Sequence, residues 1–186
     1  DGLQDRSINY DLKFVCFNDA KGIGNGHLIP AGPLREKIKS VSKFDAAFIN
    51  GNDKNTTQLK LLIKKCNRNI KIFESHYKPI NINQFNINHK YIIFSGIGNP
   101  ESFKETLIKN KFNIVKEIIF PDHYSYTQKD IEKIKIQSIN MNAKILTTEK
   151  DYVKIHPYMN NNIKFLKIEL SIVEEEKFVE YLKSNI

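Results

Sequence analysis

The residues with chemical potential fall into five short segments. The sharpest is Phe120-Pro121-Asp122-His123-Tyr124-Ser125-Tyr126. A strand pattern ends there, Pro121 turns the chain, and an acid and an imidazole follow at once. Imidazole titrates closest to neutral pH of all side chains and so suits proton transfer. Asp122 or a more distant acid would orient it, although an idle surface histidine fits the same residues. Lys21-Gly22-Ile23-Gly24-Asn25-Gly26-His27 sets glycines at alternate positions, which leaves backbone N–H groups open to an anion. It is neither GxGxxG nor a P-loop ending in GK[ST], and a flexible surface loop explains the spacing too. Ile29-Pro30-Ala31-Gly32-Pro33-Leu34-Arg35-Glu36 stiffens a helix entry with two prolines. It carries Arg35, a fork for phosphate or carboxylate or a partner for a surface acid. Ser95-Gly96-Ile97-Gly98-Asn99-Pro100 reads as a strand, a glycine turn and a helix start. Free N–H donors at such a start attract anions, and tight turn geometry accounts for the glycines equally well. Thr147-Thr148-Glu149-Lys150-Asp151 follows a strand in the same manner, or is an ordinary helix cap with surface charges. His27, His76, His89 and His156 show no metal-ligand spacing.

The elements that position these segments alternate along the chain. Strands are expected at Leu12 to Phe17, Asp45 to Asn50, Ile70 to Tyr77, Tyr91 to Ser95, Ile114 to Phe120, Lys144 to Leu146 and Ile163 to Ile168. A short helix is expected around Leu34 to Val41. Leu59, Leu62, Ile63 and Cys66 recur at helical spacing over Thr57 to Cys66. Asn99 and Pro100 open another helix as cap and first residue, and Thr127 caps one running to about Asn142. Ser171-Ile172-Val173-Glu174 reads as a capping box before a last helix with an inner face of Phe178, Val179 and Leu182. Strand–helix alternation at this spacing argues for an α/β fold with largely parallel sheets. In such folds, ligands gather at loops beyond the carboxyl ends of strands.

Composition narrows the class. The chain has 186 residues, 40% hydrophobic and 27% charged, values normal for a folded protein and wrong for a disordered one. Lys and Arg outnumber Asp and Glu, 29 to 21, giving a net charge of +8. An anionic partner fits that balance, as does a surface simply solvated by lysine. Cys16 and Cys66 are too few for a disulfide scaffold and have no zinc spacing, so a reduced, cytosolic setting is the natural reading. No apolar run approaches the ~20 residues that cross a bilayer. The chain opens on Asp1-Gly2-Leu3-Gln4 without an initiator Met and reads as the middle of a longer protein.

Taken in order, DGLQ, GNGxLIPAGPLRE, a strand closed by NG, SGIGNPxxF, FPDHYxY and TTEKDxVK resemble the tetraacyldisaccharide 4′-kinases, the lipid A 4′-kinases of Gram-negative bacteria. The resemblance runs from Asp1 to about Lys154. It implies ATP-dependent phosphorylation of the 4′-hydroxyl of a tetraacyldisaccharide 1-phosphate to give lipid IVA. It also implies Mg²⁺ and peripheral action at the cytoplasmic face of the inner membrane, with the lipid substrate and the membrane surface as partners and no nucleic acid. By the same resemblance, Asp1 matches the second acid of a pair beside Mg²⁺ and the reacting centre. His123 matches the histidine that assists deprotonation of the attacking hydroxyl. Gln4, Asn25, Gly26, Arg35, Asp122, Lys150 and Asp151 are candidates for contact with nucleotide or substrate.

The family carries an upstream P-loop half and a membrane-associating helix, and this sequence has neither. Asp5 stands where many relatives have His. The expected fold is therefore a remnant of a P-loop-type α/β/α core at 1–68, a β-strand linker at 69–89 and a smaller α/β domain at 90–186. Such a core remnant should expose a sheet edge and apolar surface, and the chain alone should turn over negligibly. The competing readings are a non-catalytic basic module for RNA or anionic lipid, and a decayed remnant that keeps only its fold.

Overall fold

In the computed structural model, residues 7, 9–51, 56–155 and 162–186 are described. Their strands are β1 (Phe14–Asn18), β2 (Ala46–Asn50), β3 (Lys71–Pro79), β4 (Lys90–Ser95), β5 (Asn113–Ile119), β6 (Ala143–Thr148), β7 (Ile163–Leu166) and β8 (Ile168–Ile172). The α-helices are α1 (Thr56–Cys66), α2 (Pro100–Lys109), α3 (Gln128–Asn140), α4 (Glu149–Ile155) and α5 (Glu175–Asn185). The strands make two four-stranded sheets, ordered β1-β2-β3-β8 and β5-β4-β6-β7. The pairings β1–β2, β2–β3, β4–β5, β4–β6 and β6–β7 are all parallel, the α/β architecture that the alternation predicts.

The first compact unit comprises 1–78 and 170–186. Its sheet sorts side chains by the two-residue period of a strand. Val15 and Phe17 of β1, Ala47 and Ile49 of β2 and Ile72 of β3 meet Leu59 and Ile63 of α1 on one face. Phe14, Phe48 and Phe73 emerge on the other, where Phe178 of α5 lies 5.0 Å from both Phe48 and Phe73, ring centre to ring centre. Edge-to-face pairs at this separation add to the apolar area that they bury. β1 is the end strand of this sheet.

The second unit comprises 79–169, with β4 at the interior of its sheet. Burial on both faces explains why Tyr91-Ile92-Ile93-Phe94 is apolar without alternation. Ile92 and Phe94 pack with Ile131 and Ile134 of α3, whereas Tyr91 and Ile93 pack with Phe103 and Leu107 of α2. The helix starts follow the sequence signals. Asn99 accepts from the Ser102 N–H at 3.4 Å ahead of Pro100. Thr127 and Asp130 form a reciprocal capping box, and hydrogen bonds from the Thr127 hydroxyl and N–H hold the Asp130 carboxyl below its ordinary range.

Several expectations are corrected. Ser171 and Ile172 belong to β8, so they form no capping box; α5 begins at Glu175, after Glu174 in the left-handed conformation. Val179 is exposed, and Tyr181 joins Phe178 on the inner face. The helix expected at Leu34 to Val41 is a 3-10 turn at Ile38–Lys43. The strand expected at 163–168 is split between β7 and β8. Segment 69–89 is not set apart. β3 is an integral strand beside β2. The Asn81 side chain donates to the Phe165 carbonyl at 3.0 Å and accepts from the Lys167 N–H at 2.9 Å. The compact units thus divide at 78/79 and again at 169/170, because α5 returns to the first sheet.

Candidate functional site

In the first unit, the loop after β1 is built on its own hydrogen bonds. The Gly22 N–H donates to the Asn18 carbonyl, Gly24 to Lys21 and Gly26 to Ile23, at 2.8, 2.9 and 3.0 Å. All three glycines have positive φ, the conformation their lack of Cβ permits. The N–H groups expected to cradle an anion are therefore spent on consecutive turns, and Gly26 has no backbone donor left for a ligand. Asn25 is committed as well. Its Nδ2 donates to the Ala31 carbonyl at 2.8 Å, and its Oδ1 accepts from the His27 N–H at 3.1 Å. A Cβ on Gly32 would fall 2.1 Å from that same Oδ1. Asn25 thus ties the glycine loop to the Ile29–Pro33 turn, and a bridge between Leu28 and Leu34 closes it. Arg35 follows immediately, exposed at the end of this braced segment.

Sequence reasoning passed over Asp19. It directly follows β1, is 2% exposed, and accepts from the Thr56 hydroxyl at the start of α1 at 3.0 Å. The signal was present in the acid that directly follows a strand of a parallel sheet.

The second unit gathers the remaining candidates at the carboxyl ends of β4, β5 and β6. His123 sits in the turn after β5 with φ 58, and its side chain is 74% exposed. Asp122 accepts the His123 N–H at 2.9 Å. Its other oxygen lies 3.9 Å from His123 Nε2, beyond hydrogen-bond reach. Beside this turn lies the Gly96–Asn99 loop. A Cβ on Gly98 would come within 3.1 Å of the Asp122 carboxylate, so the glycine leaves room for that acid.

Lys150 is exposed on α4. Asp151 is not a surface charge. It is fully buried, and its carboxylate accepts the Gly96 N–H at 3.0 Å and the Thr148 hydroxyl at 2.7 Å, with the Lys154 ammonium at 3.4 Å. Tyr126 lies beside it, and burial first, then the Asp151 charge, push the phenol pKa up. In this structure the Asp151 oxygens are engaged inside the fold. Its relation to Thr148, three residues earlier, is that of a helix cap, a spacing visible in the sequence. Asp1 and Gln4 lie outside the described residues. Among the described residues, no group of three or more His, Cys, Asp or Glu side chains is arranged to hold a metal ion. No helix there is long and apolar enough to cross a membrane.

Comparison with known proteins bears on the whole length. The family model described as tetraacyldisaccharide-1-P 4′-kinase matches residues 1–186. The chain is 43% identical over 182 residues to the tetraacyldisaccharide 4′-kinase of Pelagibacter ubique, covering 98% of this chain and 58% of that protein. It is 41% identical over 176 residues to the enzyme of that name from Rickettsia canadensis, covering 92% and 51%. The structure of LpxK from Aquifex aeolicus in complex with ATP superimposes with a TM-score of 0.64 at 21% identity, over 99% of this chain and 55% of that one, which establishes a shared fold. The chain spans little more than half the length of these relatives. With a family match running through every motif from Asp1 to Lys154 and on to the last residue, the chain belongs to the tetraacyldisaccharide-1-P 4′-kinase family.

Proposed function

We propose that this chain supplies the acceptor-activating part of an ATP-dependent kinase that phosphorylates the 4′-hydroxyl of a tetraacyldisaccharide 1-phosphate, at the cytoplasmic face of the inner membrane. The observation that carries the reading is the family match over residues 1–186, together with an exposed His123 held in a turn beyond a parallel strand. His123 accepts the proton of the 4′-hydroxyl, whose oxygen bonds to the γ-phosphorus as the bond to the β–γ bridging oxygen breaks and ADP leaves. A positioned base of this kind contributes roughly 10²–10⁴-fold. Asp122 accepts the His123 N–H and so helps fix the turn that presents the imidazole.

Phosphoryl transfer otherwise depends on positioning and on neutralising charge. Arg35, exposed on the segment that follows the Asn25-braced loop, is the cation proposed for that part, and the exposed Lys150 is a further candidate. Magnesium carried on nucleotide phosphates needs only one or two protein carboxylates, and Asp1 provides one in this reading. When bound, the ion would neutralise part of the phosphate charge.

The test is transfer of the γ-phosphate of labelled ATP by the full-length gene product to tetraacyldisaccharide 1-phosphate, with the 4′-deoxy analogue as control. Transfer to the first and none to the second is expected; equal labelling of both would remove the 4′-hydroxyl assignment. Arg35→Ala is expected to raise the KM for ATP about tenfold, the loss of one charge-assisted pair. Unchanged KM values and kcat would remove Arg35 from the site.

A further inference from the structure

We infer that Asp151 is a positioning residue whose buried carboxylate clamps the glycine turn after β4 and thereby seats the segment carrying His123. The inference rests on the proposed role of His123 as proton acceptor.

A buried carboxylate is costly unless hydrogen bonds and opposite charge compensate it. Asp151 is compensated from three places. The Gly96 N–H reaches it from the end of β4, the Thr148 hydroxyl from the end of β6, and Lys154 from its own helix. What it holds is the turn starting at Gly96, and that turn lies directly on the histidine segment. A Cβ on Gly96 would sit 2.9 Å from the Tyr126 hydroxyl, 3.2 Å from the Pro121 carbonyl oxygen and 3.3 Å from Tyr124 Cβ.

The Phe120 N–H donates to the Ser95 carbonyl at 2.8 Å, tying the two segments at their roots. Gly98 abuts Asp122, and Asp122 accepts the His123 N–H. Contacts therefore run unbroken from Asp151 through Gly96 and Gly98 to Asp122 and His123. His123 itself is in the left-handed region, where a residue other than glycine stays only when its surroundings hold it. The clamp provides that support without touching substrate.

The test uses the full-length gene product and the phosphate-transfer assay. Asp151→Asn keeps the volume but loses the charge and one acceptor. It is expected to lower kcat about tenfold with both KM values unchanged, the loss expected for one charge-assisted contact. In a His123→Ala background it is expected to cause no further loss. The imidazole Cε1–H resonance that disappears in His123→Ala is expected to shift in Asp151→Asn, while the resonances of His27 and His89 stay in place. An equal factor in both backgrounds, with the His123 resonance unmoved, would overturn the inference and leave Asp151 as support for the fold alone. If His123→Ala itself leaves kcat intact, the proton-acceptor reading fails first. Should Asp151→Asn not fold, Thr148→Val decides through the same cycle. It removes one donor to the carboxylate, and a loss of about threefold confined to the His123 background is expected.

Discussion

His123→Ala is expected to lower kcat for phosphate transfer about 10²–10⁴-fold in the full-length gene product, while both KM values change little. The asymmetry follows from the geometry. The imidazole stands in solvent after β5, 74% exposed, and buries no apolar neighbour, so its removal opens no cavity. Its loss is felt only when the hydroxyl proton must leave, which is in the transition state. The melting temperature should fall by only a few degrees, because the side chain is exposed and the left-handed backbone costs alanine about 1 kcal/mol. The replacement keeps the backbone N–H that Asp122 accepts. A kcat reduced less than about fivefold, measured with substrate and ATP both saturating, would show that another group takes the proton.

The second large effect is on stability. Gly51→Ala is expected to destabilise the protein by about 3–5 kcal/mol, read as a lower urea midpoint with an unchanged slope. Gly51 follows β2 with φ 138, a conformation that an L side chain rarely adopts. A Cβ there would lie 1.7 Å from Asp19 Oδ1. Asp19 is buried and cannot swing aside without abandoning the Thr56 hydroxyl at the head of α1. Two costs therefore add, one from the backbone and one from a displaced carboxylate. Pairing Gly51→Ala with Asp19→Ala separates them: the double variant should recover part of the loss and retain about 1–3 kcal/mol from the backbone. If Gly51→Ala alone shifts the midpoint by less than about 1 kcal/mol equivalent, the close packing of Gly51 on Asp19 is wrong.

Much of this architecture was legible in the residues, and the exceptions share a cause. The strands of the second sheet were readable because each is a short apolar run bounded by turn residues, and α2 and α3 announced themselves through Asn99-Pro100 and Thr127. The start of α5 was misread because Ser171-Ile172-Val173-Glu174 satisfies a capping pattern and a β-branched strand pattern at once. Pairing with the first sheet decided for the strand.

The glycine loop misled in a related way. Alternate glycines show that N–H groups are sterically accessible, but not whether the loop has already used them, as Gly22, Gly24 and Gly26 have. Asp151 looked like a surface charge because Gly96 arrives from the end of β4, 55 positions earlier. Only a long-range contact between distant parts of the sequence reveals such a group as interior. The place of His123 in a turn after a strand was readable from Pro121, whereas its left-handed backbone was not.

The last seventeen residues have a temporal consequence. Residues 170–186 complete the first unit, yet they leave the ribosome after the whole of 79–169. At a synthesis rate of ~5–20 residues per second, the aromatic face of Phe14, Phe48 and Phe73 stays bare on the nascent chain for on the order of ten seconds until Phe178 and Tyr181 arrive to cover it. A stop codon before Glu175 would leave that face uncovered for good.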